Sequence, residues 1–349
     1  MMDWDNLCFN TATLIAGVFV LDYGADKFLD HTVIVGRRLG ISPTLIALLT
    51  AGAEYEELAV VIAAILQHRS PLALGNVMGS AISNILGAFS LGLLCHPGGM
   101  EFDRSAKIYA ALQLAVTTLF VALAFFHLLN QVTGAVLIAV FVLYIISIGY
   151  AIYKGVTEPP QMSDSDSDDE IPTTAQTSVS ETLPLLENAS PRQDPQPLYQ
   201  HIFQLLFGLL ALSLSGYILA HSAGAIADSL QLSGTVFGLT VIAFATTLPE
   251  KLISVLSGSR GQGGIVIATT AGSNIFLLTL CVGVVAIAGL PVNRADTFDT
   301  FILFDLVMVW MSALGFTVVA FLGPSRIAGL VFLLAYVAFV VLEFTVYKR

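Results

Sequence analysis

The chain contains 349 residues, of which 56% are hydrophobic and 11% are charged, with a formal net charge of −11. A soluble domain carries roughly 25% charged residues, so this composition predicts an integral membrane protein and excludes a soluble enzyme or a nucleic-acid-binding domain. The net charge says little about the membrane part, because many acidic residues fall in one polar segment near the middle of the chain.

Hydropathy predicts about ten membrane-spanning helices of roughly 20 residues each, and hence an all-α integral membrane fold. The first apolar run is predicted to be a retained span and not a signal peptide, because Met1–Asn10 has no basic region and no small-residue cleavage site. The predicted spans lie near residues 8–29, 41–66, 72–95, 106–128, 132–153, 200–221, 234–257, 264–289, 299–321 and 326–347.

Residues 155–198 interrupt the apolar pattern. They contain the acidic, serine-rich run Ser163–Glu170 and many Pro, Thr and Gln residues, a composition that predicts disorder. The segment separates residues 1–154 from residues 199–349, with five predicted spans in each part. Nine Lys and Arg residues fall on the same side of the membrane as this segment and four on the other, which predicts a cytosolic loop.

A short stretch of this loop, Glu181–Leu186, has the pattern of an acidic dileucine sorting signal, with Glu181, Leu185 and Leu186 as its key residues. It predicts a sorting adaptor as a partner and favours a vacuolar, lysosomal or other internal membrane over the plasma membrane. The acidic serine-rich run nearby is typical of phosphorylation substrates, which agrees with a cytosolic side.

One apolar span contains a carboxylate. Within Val236–Leu256, Glu250 lies at a depth where a charge is costly and usually marks a functional site. Thr246 and Thr247 precede it by four and three residues, on neighbouring parts of the helix surface. Pro249 lacks a backbone N–H and can free carbonyl oxygens in the turn before it. These hard oxygen ligands predict a cation site; the alternative is a buried glutamate satisfied by a neighbouring helix.

The same arrangement recurs in the first half, where Glu57 precedes Glu250 by 193 residues. Because each half has an odd number of predicted spans, the second half enters the membrane in the opposite orientation. This is the inverted-repeat plan of secondary transporters, in which the site lies near the membrane midplane between the repeats. We therefore expect Glu57 and Glu250 to face each other. At the same offset, Gly79 matches Gly272, Ser80 matches Ser273 and Ile82 matches Ile275.

Other polar residues share helix faces with the two glutamates or follow them in the next span. Each is a candidate cation ligand; the alternative for Ser, Thr and Asn is hydrogen bonding between helices. Glu56 is rotated by about 100° from Glu57, as is Lys251 from Glu250, and neither is assigned to the site. The polar candidates are Glu54 in the second predicted span, Ser80 and Asn84 in the third, and Thr269, Ser273 and Asn274 in the eighth. Asn76 shares a polar face with Ser80 and Asn84 but is not assigned to the site.

These motifs resemble the alpha-repeat signature of the cation/calcium exchanger superfamily, Gly-Thr-Ser-x-Pro-Glu followed by Gly-Asn-x-x-Gly-Ser-Asn-Ile, once in each half. The second copy comprises Ala245–Glu250 and Gly272–Phe276, and the first comprises Gly52–Glu57 and Gly75–Asn84. The resemblance covers both halves and omits only the central loop. It implies two inverted five-helix repeats that exchange calcium for sodium or protons by alternating access, with sliding of the first and sixth spans.

The resemblance also implies a cation site made of the paired glutamates, hydroxyl groups and one asparagine. Two facing carboxylates in a low-dielectric site cannot both stay ionised while the site is empty. They need a divalent cation, monovalent cations or protons, and this requirement predicts obligatory exchange. No enzymatic activity and no cofactor are predicted. The residues matched to the family are Glu57, Glu250, Thr246, Ser273, Thr247, Ser80 and Asn84, and Asn274 and Glu54 complete the predicted ligand set.

The chain departs from the family pattern in both repeats. Ala53 and Glu54 stand where Thr and Ser are usual, and Glu56 replaces the proline. Leu277 stands where sodium-coupled members often carry an acidic residue, for which Glu54 is a candidate replacement. The counter-ion is therefore left open between sodium and protons. Two alternative functions also stay open: exchange of Mn2+ or Mg2+, which oxygen ligands also bind, and a non-transporting membrane scaffold or sensor.

Overall fold

The computed structural model describes residues 4–39, 54–96, 98, 100–153, 197–288 and 301–347. All regular structure in these ranges is helical, which confirms the predicted all-α class. The central loop lies outside the described residues up to residue 196, so its disorder, its sorting segment and its side of the membrane stay predictions. The predicted end of the loop was slightly late, because a helix already begins at Leu198.

The helices divide at the central loop. In the described part of the first half they are α1 (Trp4–Arg38), α2 (Tyr55–Leu66), α3 (Ser70–Cys95), α4 (Arg104–Phe125) and α5 (Gln131–Tyr153). In the described part of the second half they are α6 (Leu198–Leu230), α7 (Gly234–Thr246), α8 (Leu248–Ser259), α9 (Gly263–Ala288), α10 (Leu303–Leu322) and α11 (Arg326–Thr345).

Length and apolar composition qualify eight helices in the described ranges as membrane spans, or nine if α7 and α8 form one span that is broken by a 48° bend. The prediction of ten differs by the second span, 41–66. The structure describes this span only from Glu54 onward, and α2 alone has 12 residues, too few to cross a bilayer.

The predicted first and sixth spans were too short. α1 has 35 residues and α6 has 33, and at 1.5 Å per residue each is about 50 Å long. The hydrocarbon core of a bilayer is roughly 30 Å thick. Hydropathy ended the two spans early because polar residues, such as Asp30 and His31 in α1 and Asp228 in α6, close the apolar window without stopping the helix.

α1 and α6 pack along each other, and their backbones come into close contact. A Cβ atom on Gly24 of α1 would lie 2.7 Å from the backbone nitrogen of Leu212, and one on Gly208 of α6 would lie 2.6 Å from that of Phe28. Any larger residue at either glycine would push the two helices apart. The pair joins one helix from each half of the chain.

α3 and α9 form the centre of the molecule. Within their most apolar windows, 89% of α3 and 78% of α9 is buried, whereas the other single-helix spans are half buried or less. α7 packs against α3, α4 against α9, and α11 against α3. Residues facing outward on α5 and α11 are mostly large and apolar, as expected for helices in contact with lipid.

Both central helices widen at equivalent points. α3 contains a π-helical segment, Ser83–Phe89, and α9 contains another, Leu277–Cys281. The second segment lies 193 residues after positions 84–88, within the first. π-helical turns are rare and often mark functional sites. The offset found in the sequence therefore relates backbone geometry as well as side chains, which supports the two-repeat fold.

Candidate functional site

The helix carrying Glu250 is interrupted directly before it. α7 ends at Thr246 and α8 begins at Leu248, with Pro249 and Glu250 in its first turn. This confirms that the turn before the glutamate is broken. Glu57 likewise lies in the first turn of α2. A helix N-terminus has unpaired N–H groups and a partial positive charge that favours a carboxylate there.

Glu57 is held in place by α3. It is 1% exposed, and one carboxylate oxygen accepts a hydrogen bond from the Ser80 hydroxyl at 2.7 Å. The other oxygen accepts from the Asn76 amide, and the Thr246 hydroxyl of α7 lies close to the carboxylate. Two donors from α3 thus fix this side chain. Asn76 was noted as part of a polar face but was not assigned to the site.

Four buried oxygen atoms near Glu57 have no hydrogen-bond donor within the described ranges: Glu54 Oε2, Glu250 Oε2, Asn76 Oδ1 and Asn84 Oδ1. Leaving a buried acceptor unsatisfied costs about 1–3 kcal/mol. Glu54, Glu57 and Glu250 also interact electrostatically with one another. The unsatisfied atoms are carboxylate and amide oxygens, which are ligands for a hard cation.

α3 and α9 are joined by asparagines at the centre. The Asn274 amide donates to the backbone oxygen of Ala81 at 3.0 Å, and these two residues are 193 positions apart. Two residues related by a pseudo-twofold axis can touch only close to that axis. The contact therefore places the axis between the repeats at this point and makes Glu57 and Glu250 equivalent about it.

Asn84 connects this bridge to the acidic residues. Its amide nitrogen lies 3.3 Å from Glu54 Oε1 and 3.3 Å from Asn274 Oδ1. The alternative for Asn274, hydrogen bonding between helices, thus describes its contacts in this structure. Ser273 on α9, in the second repeat, lies close to the Glu54 carboxylate. Glu54 therefore receives groups from both central helices.

Two further candidates, Thr246 and Thr269, donate hydrogen bonds to backbone carbonyl oxygens of their own helices. The Thr246 hydroxyl donates to the Ile242 carbonyl oxygen at 3.0 Å while staying near Glu57. The Thr269 hydroxyl donates within its own helix, to Ile265 at 2.8 Å. Leu277 is fully buried and apolar, so it contributes no oxygen.

Thr247 belongs to a second cluster beside the glutamates. Its hydroxyl contacts the Lys251 ammonium and lies 2.9 Å from the Ser83 hydroxyl, which in turn donates to Tyr336 of α11 at 3.1 Å. The sequence-based prediction assigns no role to Lys251 and singles out neither Ser83 nor Tyr336. The available signal was the lysine itself, a charged residue inside an apolar span.

No group of three or more His, Cys, Asp or Glu side chains in the described ranges is placed to hold a metal ion. A cation at Glu57 and Glu250 would therefore need hydroxyl, amide or carbonyl oxygens as further ligands. Such a mixed oxygen set suits a hard cation rather than one that prefers sulfur or nitrogen.

Comparisons with known proteins cover nearly the whole chain. The profile of a family described as sodium/calcium exchanger protein matches residues 9–150 and 200–345. CaxA of Alkalimonas amylolytica is 28% identical over 345 residues, covering 96% of this chain and 98% of that protein. The sodium/calcium exchanger MaX1 of Methanosarcina acetivorans is 24% identical over 367 residues, covering 96% and 98%.

A solved structure has the same fold. The sodium-calcium exchanger NCX_Mj, in a crystal soaked with Na+ and Sr2+, matches with a TM-score of 0.55 at 20% sequence identity. The match covers 95% of this chain and 98% of that one.

Proposed function

The chain belongs to the sodium/calcium exchanger family, and from this premise we propose that it is an antiporter that moves Ca2+ across a membrane in exchange for Na+ or H+. One observation carries the proposal. Glu57 and Glu250, related by the axis through Ala81 and Asn274, lie beside buried oxygens that have no donor within the described ranges.

The ligand set suits calcium. Ca2+ takes six to eight oxygen ligands at about 2.3–2.6 Å. The carboxylates of Glu57 and Glu250 supply up to four of these, and the unsatisfied oxygens of Glu54 and Asn84 are close by. Backbone carbonyl oxygens near the α7–α8 break, where the regular helical hydrogen bonding is interrupted, would complete the shell.

Exchange follows from the charges. Buried carboxylates that interact with one another resist being ionised together without a cation. The empty site is therefore a high-energy state, and the protein changes its accessible side readily only when the site holds Ca2+ or monovalent ions. This coupling requires no further component.

The packing of α1 and α6 supports alternating access. α6 lies against α2, where a Cβ on Gly216 would lie 2.9 Å from the Ala59 backbone and Gln67 bonds the Tyr217 carbonyl at 3.1 Å. Among the described residues, the symmetry-equivalent pair, α1 and α8, makes at most marginal contact. The α1–α6 pair thus packs against α2 of the first repeat and not against α8 of the second. Sliding of the pair until α1 packs against α8 would change the side of the membrane from which ions reach the site.

The proposed location is a vacuolar, lysosomal or other internal membrane, with the central loop cytosolic and a sorting adaptor bound at Glu181–Leu186. This rests on the sequence of the loop, which lies outside the described residues. Surface staining of intact cells would test it, since an internal location predicts no signal until the cells are permeabilised.

The test is uptake of calcium-45 into proteoliposomes of purified protein, driven by an outward gradient of sodium, of protons, or by none. Glu57→Gln and Glu250→Gln remove one site charge each, and Glu101→Gln, at an exposed position, is the matched control. We expect gradient-driven uptake by the wild type and E101Q, and at least a 100-fold loss in E57Q and E250Q, equivalent to about 2.7 kcal/mol.

The gradient that drives calcium uptake identifies the counter-ion. Sodium-driven uptake makes the protein a sodium/calcium exchanger despite Leu277, and proton-driven uptake makes it a proton-coupled one. Equal uptake by wild type and both site variants would contradict calcium antiport. In that case, gradient-driven uptake of Mn2+ or Mg2+ that is lost in both site variants would identify another cargo, and inactivity with every cation would favour the scaffold alternative.

A further inference from the structure

Three aspartates follow one another along α1. Asp22, Asp26 and Asp30 are spaced by four residues and therefore form a stripe on one side of the helix. All three side chains are exposed. Asp22 lies close to the midpoint of the 35-residue helix, and thus near the middle of the membrane. A carboxylate is costly there in contact with lipid, so an exposed one has to face water.

The water reaches Asp22 from the loop side of the membrane. Before Asp22 the same side of α1 carries Ile15 and Phe19, which are 53% and 71% exposed, as expected for a surface in contact with lipid. The aspartates occupy only the second half of α1. That half ends beside the start of α6, where His31 Nδ1 lies 3.2 Å from His201 Nδ1, and α6 directly follows the central loop in the sequence.

The packing of the helices leaves the same side open. Among the described residues, α1 and α8 make at most marginal contact, whereas their equivalents on the other side of the membrane, α6 and α2, pack together. Because α6 begins on the loop side, the broken span α7–α8 returns to that side, and α8 forms its last part. The space between α1 and α8 therefore leads from the loop side to Glu250, in the first turn of α8.

The inner end of the stripe meets the glutamates. Asp22 interacts electrostatically with Glu250 and with Glu56, which are both partly exposed. These two glutamates also interact with Glu54, which is 4% exposed and whose Oε2 has no hydrogen-bond donor within the described ranges. An exposed acidic row on α1 thus ends at a buried carboxylate oxygen that is open to a cation.

The contacts between α1 and α6 show which positions of the two helices are equivalent. Gly17 of α1 packs against Leu219 of α6. In the same way, Gly208 of α6 packs against Phe28 of α1. The offset is 191 residues in both cases (208 − 17 and 219 − 28). The two contacts are therefore related by the twofold axis, and this offset relates the two helices.

The acidic stripe belongs to one repeat only. Residues 22–30 contain three aspartates and a single lysine, Lys27, whose ammonium lies 5.7 Å from the centre of the Tyr23 ring. The stretch therefore has a negative formal charge. The route along α6 to the other side of the membrane has no acid at the equivalent positions. In the order of the three aspartates, these positions are Ser213, Tyr217 and His221.

We propose that a water-filled passage, open on the loop side of the membrane, runs along the acidic side of α1, and that Asp22, Asp26 and Asp30 draw divalent cations through it to the transport site. The guiding role rests on the proposed antiport. Charges of one sign beside low-dielectric walls raise the local concentration of the opposite ion and its rate of association. The passage therefore speeds entry from one side without changing the final ion gradient.

The test is the rate of calcium-45 entry from each side of the membrane. Proteoliposomes are sorted with an antibody against a tag in the central loop, so that calcium enters from the loop side in one fraction and from the other side in the second. In Asp22→Asn/Asp26→Asn/Asp30→Asn we expect kcat/KM to fall about 10-fold from the loop side and less than about 2-fold from the other. In about 1 M choline chloride the loop-side loss should shrink to less than about 2-fold, because the Debye length falls to about 3 Å.

Two variants serve as controls. Asp22→Glu/Asp26→Glu/Asp30→Glu keeps the three charges and is expected to behave as wild type. Asp5→Asn removes an exposed acid from the other end of α1 and is expected to do the same. An unchanged loop-side kcat/KM in the triple asparagine variant, an equal loss from both sides, or a loss that salt does not reduce would overturn the guiding role.

Water access can be measured without transport. In a protein whose exposed cysteines, Cys8 and Cys95, are replaced by serine, Asp26→Cys is expected to react with a membrane-impermeant thiol reagent added on the loop side. Phe19→Cys, on the same side of α1, is expected to stay unlabelled because it faces lipid. An unreactive D26C would overturn the passage. A labelled D26C in a protein without gradient-driven uptake would overturn the antiport proposal and support the passage, so the two failures are distinguishable.

Discussion

The two repeats share a backbone plan and differ in how they hold their glutamates. In the first repeat, Glu57 accepts hydrogen bonds from Asn76 and Ser80 on α3. In the second, Glu250 has an oxygen without a donor in the described ranges, and the position equivalent to Asn76 is Thr269, which bonds within its own helix. The Glu57 carboxylate is therefore held in position before an ion binds, whereas the free oxygen of Glu250 is available to bind the ion.

This difference shows what an inverted repeat does and does not require. Alternating access needs two equivalent backbones, because the two end states are related by exchanging the repeats. It does not need equivalent side chains. Once Asn76 holds one glutamate rigid, the cost of ordering the site is lower and the second glutamate can vary in position.

The largest effect is expected from restoring an acid to the second repeat. Leu277→Asp would place a carboxylate at the position equivalent to Asn84, fully buried next to the axis. Without cations it should lower the free energy of unfolding by about 3 kcal/mol, because the new charge has no partner there.

Sodium or calcium is expected to recover most of this loss in L277D, since the added oxygen becomes a ligand. Chemical unfolding in detergent with and without each cation measures the effect, and Leu277→Asn, which adds a polar group without a charge, is the control. A cation-independent loss in L277D would show that the position faces away from the ion.

Substituting Asn76 and Thr269 one at a time tests the difference between the two repeats directly. Asn76→Ala removes a donor to a buried carboxylate and is expected to cost about 1–3 kcal/mol and to raise the KM for calcium. Thr269→Val removes a hydroxyl that bonds only its own helix and is expected to change stability by less than about 0.5 kcal/mol. Equal effects of the two substitutions on KM would contradict the asymmetry.

The hydrogen bond between Asn274 and the Ala81 carbonyl oxygen can be tested by moving the asparagine to the equivalent position in the other repeat. Asn274→Ala removes the bond to the Ala81 carbonyl and should destabilise the α3–α9 contact by about 1 kcal/mol. Adding Ala81→Asn in the same protein would rebuild the bond from the other repeat, toward the backbone of residue 274. Thermal unfolding in detergent should then show a partial recovery in N274A/A81N. A further loss in the double variant would mean that the two sides of the axis are not interchangeable.

The smallest effect is expected far from the site. Arg69 and Asp228 form an ion pair at 2.8 Å with side chains 34% and 65% exposed. Exposed pairs contribute roughly 0–1 kcal/mol, so Arg69→Ala should leave stability and uptake nearly unchanged. A large loss in R69A would instead show that this contact fixes α6 against the start of α3.

Sequence could predict the backbone of the site better than its side chains. The 193-residue offset found Glu57 and Glu250, and Pro249 indicated the break before Glu250, because repeats and prolines act locally on the chain. The offset could not find Lys251, since a search for matching residues passes over the positions where the halves have diverged. Nor could it place Asn274, whose carbonyl partner on Ala81 is a backbone atom with no signature.

The ends of α1 and α6 show another limit. A hydropathy window detects where a chain is apolar, whereas a helix continues for as long as its backbone can hydrogen-bond. Asp30 and Asp228 are therefore ordinary helical residues that hydropathy treats as boundaries. The site ligands themselves stay predictions, to be decided by the uptake and binding measurements above.

The length of α6 has a mechanical consequence. The continuous 33-residue helix α6 is longer than the hydrocarbon core of a bilayer is thick. Its first turn, at Leu198, directly follows the central loop in the sequence. A force that the loop exerts on this N-terminus would be transmitted along the helix axis to the contact between Gly216 and Ala59. Binding or modification of the loop could therefore act on the packing of α6 against α2.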